Sequence, residues 1–217
     1  MIFRVAQQLG AARRAIAGAL GLLMAGAAGA QPVAERPVWK PGDTWIFERI
    51  AEPGREQTKW SRTIIEAQPG GGYTVMAGAN RTWQADADLN PIATAGPEYQ
   101  TVWWHWPLRV GEKWTYDSKV VVQAGNASDR VKREVTAFER IRVPAGEFDC
   151  FRIVSTSTRF SYDPRLMSRP NYSASTDYVN WYCPAIRFIA REETLWRDGY
   201  GRTTRSVSEL TSYGPTR

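Results

Sequence analysis

The sequence is poor in histidine and cysteine, the residues that bind zinc and carry out imidazole and thiol chemistry. It contains one histidine, His105, and two cysteines, Cys150 and Cys183, which do not form a Cys-x-x-Cys motif. A zinc site needs three or four clustered ligands, and redox-active thiols usually occur as a closely spaced pair. We therefore expect no metal site and no cofactor. His105 lies in the string Trp-Trp-His-Trp-Pro and has no local partner of the kind that a catalytic triad requires, so we expect it to pack among aromatic rings.

Long apolar runs are also absent after residue 30, and so is any long amphipathic helical pattern. Before that point, three arginines without any acid precede an uncharged stretch from Ala15 to Ala30 that ends in Ala-Gly-Ala. This order is typical of an export signal with a helical apolar segment. We expect residues 1–30 to be a signal peptide cleaved after Ala30, and residues 31–217 to be a periplasmic or secreted protein without a membrane span. A retained anchor is the alternative, which the short run rich in Gly and Ala disfavours.

Residues 31–217, without the expected signal peptide, carry no strong excess of positive or negative charge. The chain carries 28 Lys and Arg against 22 Asp and Glu, and three of the arginines lie in the first thirty residues, so a net charge of +6 falls to +3. The remaining basic residues are spread along the chain and do not form the clusters that bind phosphate backbones. We therefore expect no nucleic-acid partner.

The sequence does contain many alternating segments rich in β-branched and aromatic residues. Residues 44–50 (TWIFERI) and 113–122 (KWTYDSKVVV) have the period of two that is typical of half-buried strands. Turn-forming strings of Gly, Pro and Asn separate such segments at short intervals. This pattern predicts an all-β domain over residues 31–217, built as an antiparallel meander.

One strand pattern occurs twice, at residues 39–49 (WKPGDTWIFER) and 108–118 (LRVGEKWTYDS). Both copies have Gly, then an acid, then two aromatic residues on one strand face, with corresponding positions offset by 69 residues. The repeat suggests two related halves, 31–106 and 107–217. Chance repetition in a β protein rich in Gly and Trp is the alternative.

The two cysteines are placed for pairing. The segments 148–160 and 176–189 both read as strands, and the polar loop 163–171 lies between them. A hairpin centred near residue 166 or 167 places Cys150 opposite Cys183. An exported compartment permits disulfides, so we predict a Cys150–Cys183 bridge, with two buried thiols as the alternative.

Aromatic residues are the most prominent feature, with ten Trp in the chain. A curved sheet can present several of them to an apolar ligand, whereas the simpler interpretation is that most fill the core. We expect a ligand-binding surface formed by the aromatic side chains of Trp45, Trp104, Trp106, Trp114, Tyr116 and Trp181.

Four strings in this chain resemble motifs of exported bacterial proteins described as TapB-like. These strings are PLRVGEKWTY (107–116), VPAGEFD (143–149), NWYCPAI (180–186) and SEL (208–210), so the match covers mainly the C-terminal half. Proteins of this kind are similar to the half-barrels of the LolA and LolB type of lipoprotein carriers. The resemblance implies a strongly curved antiparallel sheet, a half-barrel or open barrel, around a hydrophobic cavity. No catalytic residues are described for the family, so none is implied for this chain.

Together these observations favour a non-enzymatic exported carrier or binder of a lipid or acyl chain. One alternative is an envelope assembly or structural factor that binds another protein through a sheet edge. The other is a hydrolase that uses His105 or a carboxylate pair, either Asp86 with Asp88 or Glu192 with Glu193. The arginines at 187, 191 and 197 make surface ion pairs the simpler expectation for Glu192 and Glu193.

Overall fold

The computed structural model describes residues 31–94, 96–122, 125–162 and 172–215. The expected signal peptide and the loop 163–171 lie outside the described residues. Within them, short 3-10 helices form at Pro97–Tyr99 and Pro184–Ile186, and no helix is long and apolar enough to cross a membrane. The strands are β1 (Val33–Ala34), β2 (Asp43–Glu52), β3 (Glu56–Ala67), β4 (Tyr73–Ala77), β5 (Arg81–Ala85), β6 (Leu108–Arg109), β7 (Lys113–Val122), β8 (Gly125–Val143), β9 (Gly146–Tyr162), β10 (Tyr172–Cys183), β11 (Phe188–Arg197) and β12 (Thr203–Pro215).

Ten of the strands form one antiparallel sheet in the order β5-β4-β3-β2-β12-β11-β10-β9-β8-β7, and β1 pairs with β6 separately. Two meanders, β2 to β5 and β7 to β12, are joined where β12 pairs with β2. The sheet does not close, because β5 and β7 are its two edges. The prediction of an all-β fold with an open antiparallel sheet is confirmed.

The sheet bends strongly across its width. The backbone N–H of Ala145, in the turn between β8 and β9, donates a hydrogen bond of 3.0 Å to the carbonyl oxygen of Leu210 in β12. Since β10 and β11 lie between β9 and β12 in the sheet, this contact requires the sheet to curl toward itself. Register shifts in four strand pairs, such as the one between Val135 and Ala137, add local bends.

The core lies on the inner face of this bend and follows the period of two in the strands. In β2, Trp45 and Phe47 are 2% and 0% exposed, whereas Ile46 between them is 38% exposed. The ring of Trp45 stacks on Phe188 with centroids 4.6 Å apart, and its indole N–H donates to the carbonyl oxygen of Ile186 at 2.8 Å. The indole ring is therefore buried with its one polar atom satisfied.

The predicted disulfide is confirmed. The β9–β10 pairs keep one register from Ser161 with Tyr172 to Phe151 with Tyr182. The next opposed residues are Cys150 and Cys183, which are bonded with their Cα atoms 4.1 Å apart, and both are fully buried. The bridge therefore fastens the end of the hairpin that lies nearest the core.

The repeated sequence pattern has the same local structure in both copies. Gly42 and Gly111 both have φ of 92°, and their N–H groups donate to the carbonyl oxygens of Ile64 and Val135, each at 2.8 Å. A register shift follows the accepting residue in both cases, between Ile64 and Glu66 and between Val135 and Ala137. The wider division into halves 31–106 and 107–217 stays a prediction.

The positive φ of Gly111 predicts a cost for any side chain at this position. A Cβ added there meets no atom within 4 Å, so Gly111→Ala introduces backbone strain alone. We expect the free energy of unfolding, measured by urea titration, to fall by about 1–3 kcal/mol. Gly54→Ala is the matched control, because its Cβ also meets nothing and its φ is not positive. Equal stability of the two variants would contradict this interpretation of the turn.

Candidate functional site

A cavity of about 550 Å³ opens on the inner face of the sheet, within the usual range of small-molecule sites. Side chains from β2, β3 and β7 through β12 line it, together with the segment 101–104. Part of the wall is apolar and comprises Trp60, Trp103, Trp104, Val131, Phe188 and Ile189. The rest is polar and includes the charged residues Arg49, Arg62, Asp129, Arg133 and Glu192.

The buried side chain of Asn90 positions the two cavity tryptophans that do not lie on a strand. Its Oδ1 accepts hydrogen bonds from the backbone N–H groups of Trp103 and Trp104, at 2.7 and 2.9 Å. The ring of Trp103 packs edge-on against Trp83, with centroids 5.5 Å apart. A single amide oxygen therefore holds the segment against the inner face.

Three arginines enter the cavity from positions where the strand alternation points inward. Each lies two residues from a buried apolar side chain on the same face of its strand. Arg49 follows Phe47 in β2, Arg62 precedes Ile64 in β3, and Arg133 lies between Val131 and Val135 in β8. Arg62 and Arg133 are partly buried, whereas Arg49 is exposed on the solvent-facing part of the cavity.

Glu192 in β11 lies in the same transverse row of the sheet as Arg49. It pairs directly with Asn180 of β10 and with Ser208 of β12, and Ser208 pairs with Arg49 of β2. Directly opposed residues share a face of the sheet, so all four side chains point inward. The row thus carries one acid, one base and two neutral polar groups across four strands.

Burial and opposite charges act against each other on Glu192. Burial raises the pKa of this carboxyl above its ordinary value, and Arg49, Arg133 and Arg62 act in the lowering direction. Burial likewise lowers the pKa of Arg62, while Glu192 acts to raise it. Among the described residues, no nitrogen of these three arginines lies within 4.0 Å of a Glu192 oxygen. The charges therefore interact across the cavity without contact pairs.

The other cavity acid, Asp129, is already engaged. Its two carboxylate oxygens accept hydrogen bonds from Arg159 at 2.7 and 2.8 Å. Burial raises the pKa of both cavity tyrosines, Tyr116 and Tyr178. Besides Asp129, the polar part of the cavity wall therefore includes neutral hydroxyl and indole groups, Glu192 and the three arginines.

Two of the six aromatic residues expected at a ligand surface, Trp104 and Tyr116, line the cavity. Trp45 lies in the packed core instead. Trp106 packs edge-on against Tyr182, with centroids 5.1 Å apart, and Trp114 donates its indole N–H to the carbonyl oxygen of Val102 at 3.3 Å. These contacts use their rings in packing within the protein.

Trp181 lies on the outer face, because it is adjacent in β10 to the inward-facing Asn180. Arg152 and Arg191 lie over its ring at 5.8 and 5.5 Å, and its indole N–H donates to Glu139 at 2.7 Å. It is therefore separated from the cavity by the sheet itself.

The carboxylates considered as catalytic pairs, Glu192 with Glu193 and Asp86 with Asp88, do not act together in the structure. Glu193 forms the expected surface ion pairs, with Arg191 at 2.8 Å and Arg205 at 3.4 Å. The expectation of a surface ion pair is wrong for Glu192, because consecutive strand residues face opposite sides and this one faces the cavity. Asp86 accepts hydrogen bonds from the backbone N–H groups of Asp88 and Asn90 and closes a turn.

His105 lies outside the cavity wall. Its Nδ1 is 3.2 Å from Glu112, and its ring lies 6.1 Å from that of Trp114. No group of three or more potential metal ligands occurs within the described ranges.

The chain matches no protein-family model and no curated protein. Solved structures that are similar to it include a candidate lipoprotein from Parabacteroides distasonis (TM-score 0.47, 14% identity, 85% of this chain and 100% of that one). Another is a candidate exported protein with a YmcC-like fold from Bacteroides fragilis (TM-score 0.43, 15% identity, 83% of this chain and 99% of that one). A third is the hypothetical lipoprotein YmcC from Escherichia coli (TM-score 0.40, 9% identity, 82% of this chain and 91% of that one).

Removal of the Asn90 amide is expected to destabilise the protein. Asn90→Ala leaves the N–H groups of Trp103 and Trp104 without their acceptor, which costs about 2–4 kcal/mol in the free energy of unfolding. Asn80→Ala, at an exposed position, should change it by less than about 0.5 kcal/mol. Urea titration of both variants measures the difference, and a loss no larger at Asn90 than at Asn80 would refute the proposed role.

The raised pKa of Glu192 predicts a pH-dependent effect of its replacement. The folded state holds this proton more tightly than the unfolded state, so the carboxyl lowers stability as pH rises from its unfolded pKa, about 4.3, through its folded value. Glu192→Gln should therefore gain stability relative to the unmodified protein between pH 4 and pH 7.5 in urea titrations. Asp117→Asn is the control: Arg130 lowers the pKa of that carboxyl, so its contribution to stability changes below its unfolded pKa of about 3.9, and its profile should run nearly parallel to that of the unmodified protein above about pH 4.5. A parallel pH profile for Glu192→Gln and the unmodified protein would contradict the assignment.

Proposed function

We propose that this protein is an exported, non-enzymatic carrier that binds a lipid or another molecule with an acyl chain. The observation that carries the proposal is the cavity of about 550 Å³ on the inner face, with an apolar wall that includes Trp60, Trp103 and Phe188. Small-molecule sites typically combine such a wall with a few placed polar groups. The apolar part of the ligand would lie against these rings.

Export to the periplasm or the outside is part of this proposal. It is supported by the sequence pattern of residues 1–30 and by the buried Cys150–Cys183 bridge. Disulfides form and persist mainly in oxidising compartments, which include the bacterial periplasm. A carrier that takes up lipid in the envelope would work in the same compartment.

Among the alternatives, the hydrolase finds less support, because His105 lies outside the cavity wall, Asp86 is used in a turn, and Glu193 faces away from the cavity that Glu192 lines. An assembly role would use the free edges of the sheet, β5 and β7. Part of the β5 edge is already taken, since the N–H of Ile92 donates to the carbonyl oxygen of Gln84 at 2.8 Å and Ala85 bridges to Pro91.

Binding of a neutral apolar probe tests the proposal. N-phenyl-1-naphthylamine should show a saturable rise in fluorescence with the purified exported protein, because its emission increases in an apolar site. Trp103→Ala should weaken binding by about tenfold through loss of buried aromatic surface. Trp181→Ala, on the outer face, is the matched control and should leave the affinity unchanged, with circular dichroism to verify folding.

Absence of saturable binding in the unmodified protein, up to the solubility limit of the probe, would overturn the proposal. So would an equal loss of affinity in Trp103→Ala and Trp181→Ala when both variants are folded, because the probe would then bind elsewhere.

A further inference from the structure

Several arginines on the outer face of the sheet form close ion pairs, whereas the arginines of the cavity do not. On the outer face, Arg130 contacts Asp117 at 2.8 Å, Arg191 contacts Glu193 at 2.8 Å, and Arg197 contacts Asp177 at 2.6 Å. In the part of the chain that is described, Arg49, Arg62 and Arg133 have no carboxylate within 4.0 Å. The cavity thus holds positive charge that the protein does not neutralise by contact.

Two donors in the cavity wall also lack acceptors. Arg133 Nε and Trp104 Nε1 are buried atoms without a hydrogen-bond partner among the described residues. The remaining contacts of Arg133 fix its position, since its Nη1 donates to the carbonyl oxygen of Trp103 at 3.3 Å. Buried donors are normally satisfied, so these two side chains beside the cavity keep hydrogen-bonding capacity that the protein does not use.

The positive and the apolar parts of the wall adjoin one another. The guanidinium carbon of Arg62 lies 5.0 Å from the ring centroid of Trp60, and that ring stacks on Phe47 at 4.0 Å. Trp103 supplies a carbonyl oxygen to Arg133 and a side chain to the cavity wall. A ligand in contact with these rings would therefore also reach the guanidinium groups.

From these contacts we infer that the cavity binds an amphipathic anion, whose carboxylate or phosphate group is held by Arg49, Arg62 and Arg133. Guanidinium groups bind both of these groups through charge-assisted hydrogen bonds. The inference rests on the proposed function, because it assigns the apolar part of the same ligand to the wall formed by Trp60 and Trp103. It adds that a neutral or cationic lipid of equal chain length binds more weakly.

Glu192 supplies an internal check of this inference. Its carboxyl faces the same three arginines and opposes a bound anion when it is ionised. Replacement by Gln removes that repulsion and keeps the side-chain shape. Anion affinity should therefore rise in Glu192→Gln and fall in Arg62→Gln, which is a pair of opposite responses that general destabilisation would not produce.

The experiment is displacement of N-phenyl-1-naphthylamine at pH 7.5 in a buffer free of phosphate. Dodecanoate and dodecyltrimethylammonium below their micelle concentrations, and dodecanol below its solubility limit, share the chain length and differ in the head group. Inorganic phosphate alone tests the free anion. We expect dodecanoate to bind at least tenfold more tightly than dodecanol, and Arg62→Gln to remove most of that preference without affecting dodecanol. Arg130→Gln, which removes an arginine from the outer face, should keep it.

Equal affinities for dodecanoate and dodecanol would overturn the anion site, and the proposed function would stand if the neutral probe still binds. Equal responses of Arg62→Gln and Arg130→Gln would also overturn it. Inorganic phosphate that competes as well as dodecanoate would overturn the assignment of an amphipathic ligand in favour of a free anion. Loss of affinity in both Glu192→Gln and Arg62→Gln would refute the electrostatic argument.

Discussion

The rest of the structure depends on the curl of the sheet. The hydrogen bond from the N–H of Ala145 to the carbonyl oxygen of Leu210 joins two parts of the sheet that only this curl brings together. It brings the turn between β8 and β9 against β12 and so curls the sheet around its inner face. In a flat sheet, residues of β3 and β8 would lie many strands apart, since strands are spaced about 4.8 Å. In the curled sheet, Arg62 and Arg133 face the same cavity. The curvature therefore creates a site from residues that are distant in sequence.

The inward-facing positions of a strand decide where the inner face is packed and where it forms the cavity. Apolar residues at these positions fill the core, and charged residues line the cavity. Toward the start of β2, the inward residues are Trp45 and Phe47, which fill the core. The next inward residue is Arg49, whose charge cannot be buried without a partner, and the packing gives way to an accessible space there. The same transition occurs in β8, where Arg133 lies between two valines that are 5% and 0% exposed. The boundary between core and cavity thus falls within individual strands, where the inward-facing residues change from apolar to charged.

The sequence was sufficient for the elements that depend on local pattern. The alternation at residues 44–50 and 113–122 predicted strands, and the symmetric spacing of Cys150 and Cys183 about the loop 163–171 predicted the bridge, because a hairpin without bulges keeps a constant register between its strands. The positions of the aromatic side chains relative to the cavity could not be predicted in this way. Aromatic content alone does not separate Trp104, in the cavity wall, from Trp181, on the outer face. That distinction depends on which alternate residues of each strand face the concave side of the sheet. The concave side is set by long-range curvature, which the local pattern does not reveal.

The sequence nevertheless contained a signal for the cavity, because charged residues occupy some of the inward-facing strand positions that are otherwise apolar. Arg49 and Arg133 occupy positions where alternation alone would place another apolar residue, and Glu192 shares a transverse row with Asn180 and Ser208. Burial penalises both Glu192 and Arg62, so these side chains are poor choices for stability. Sequences that fold well usually violate their own local pattern only where binding or chemistry requires it. The violations here lie on different strands and meet in one cavity, and the charge of the proposed anionic ligand would offset their cost.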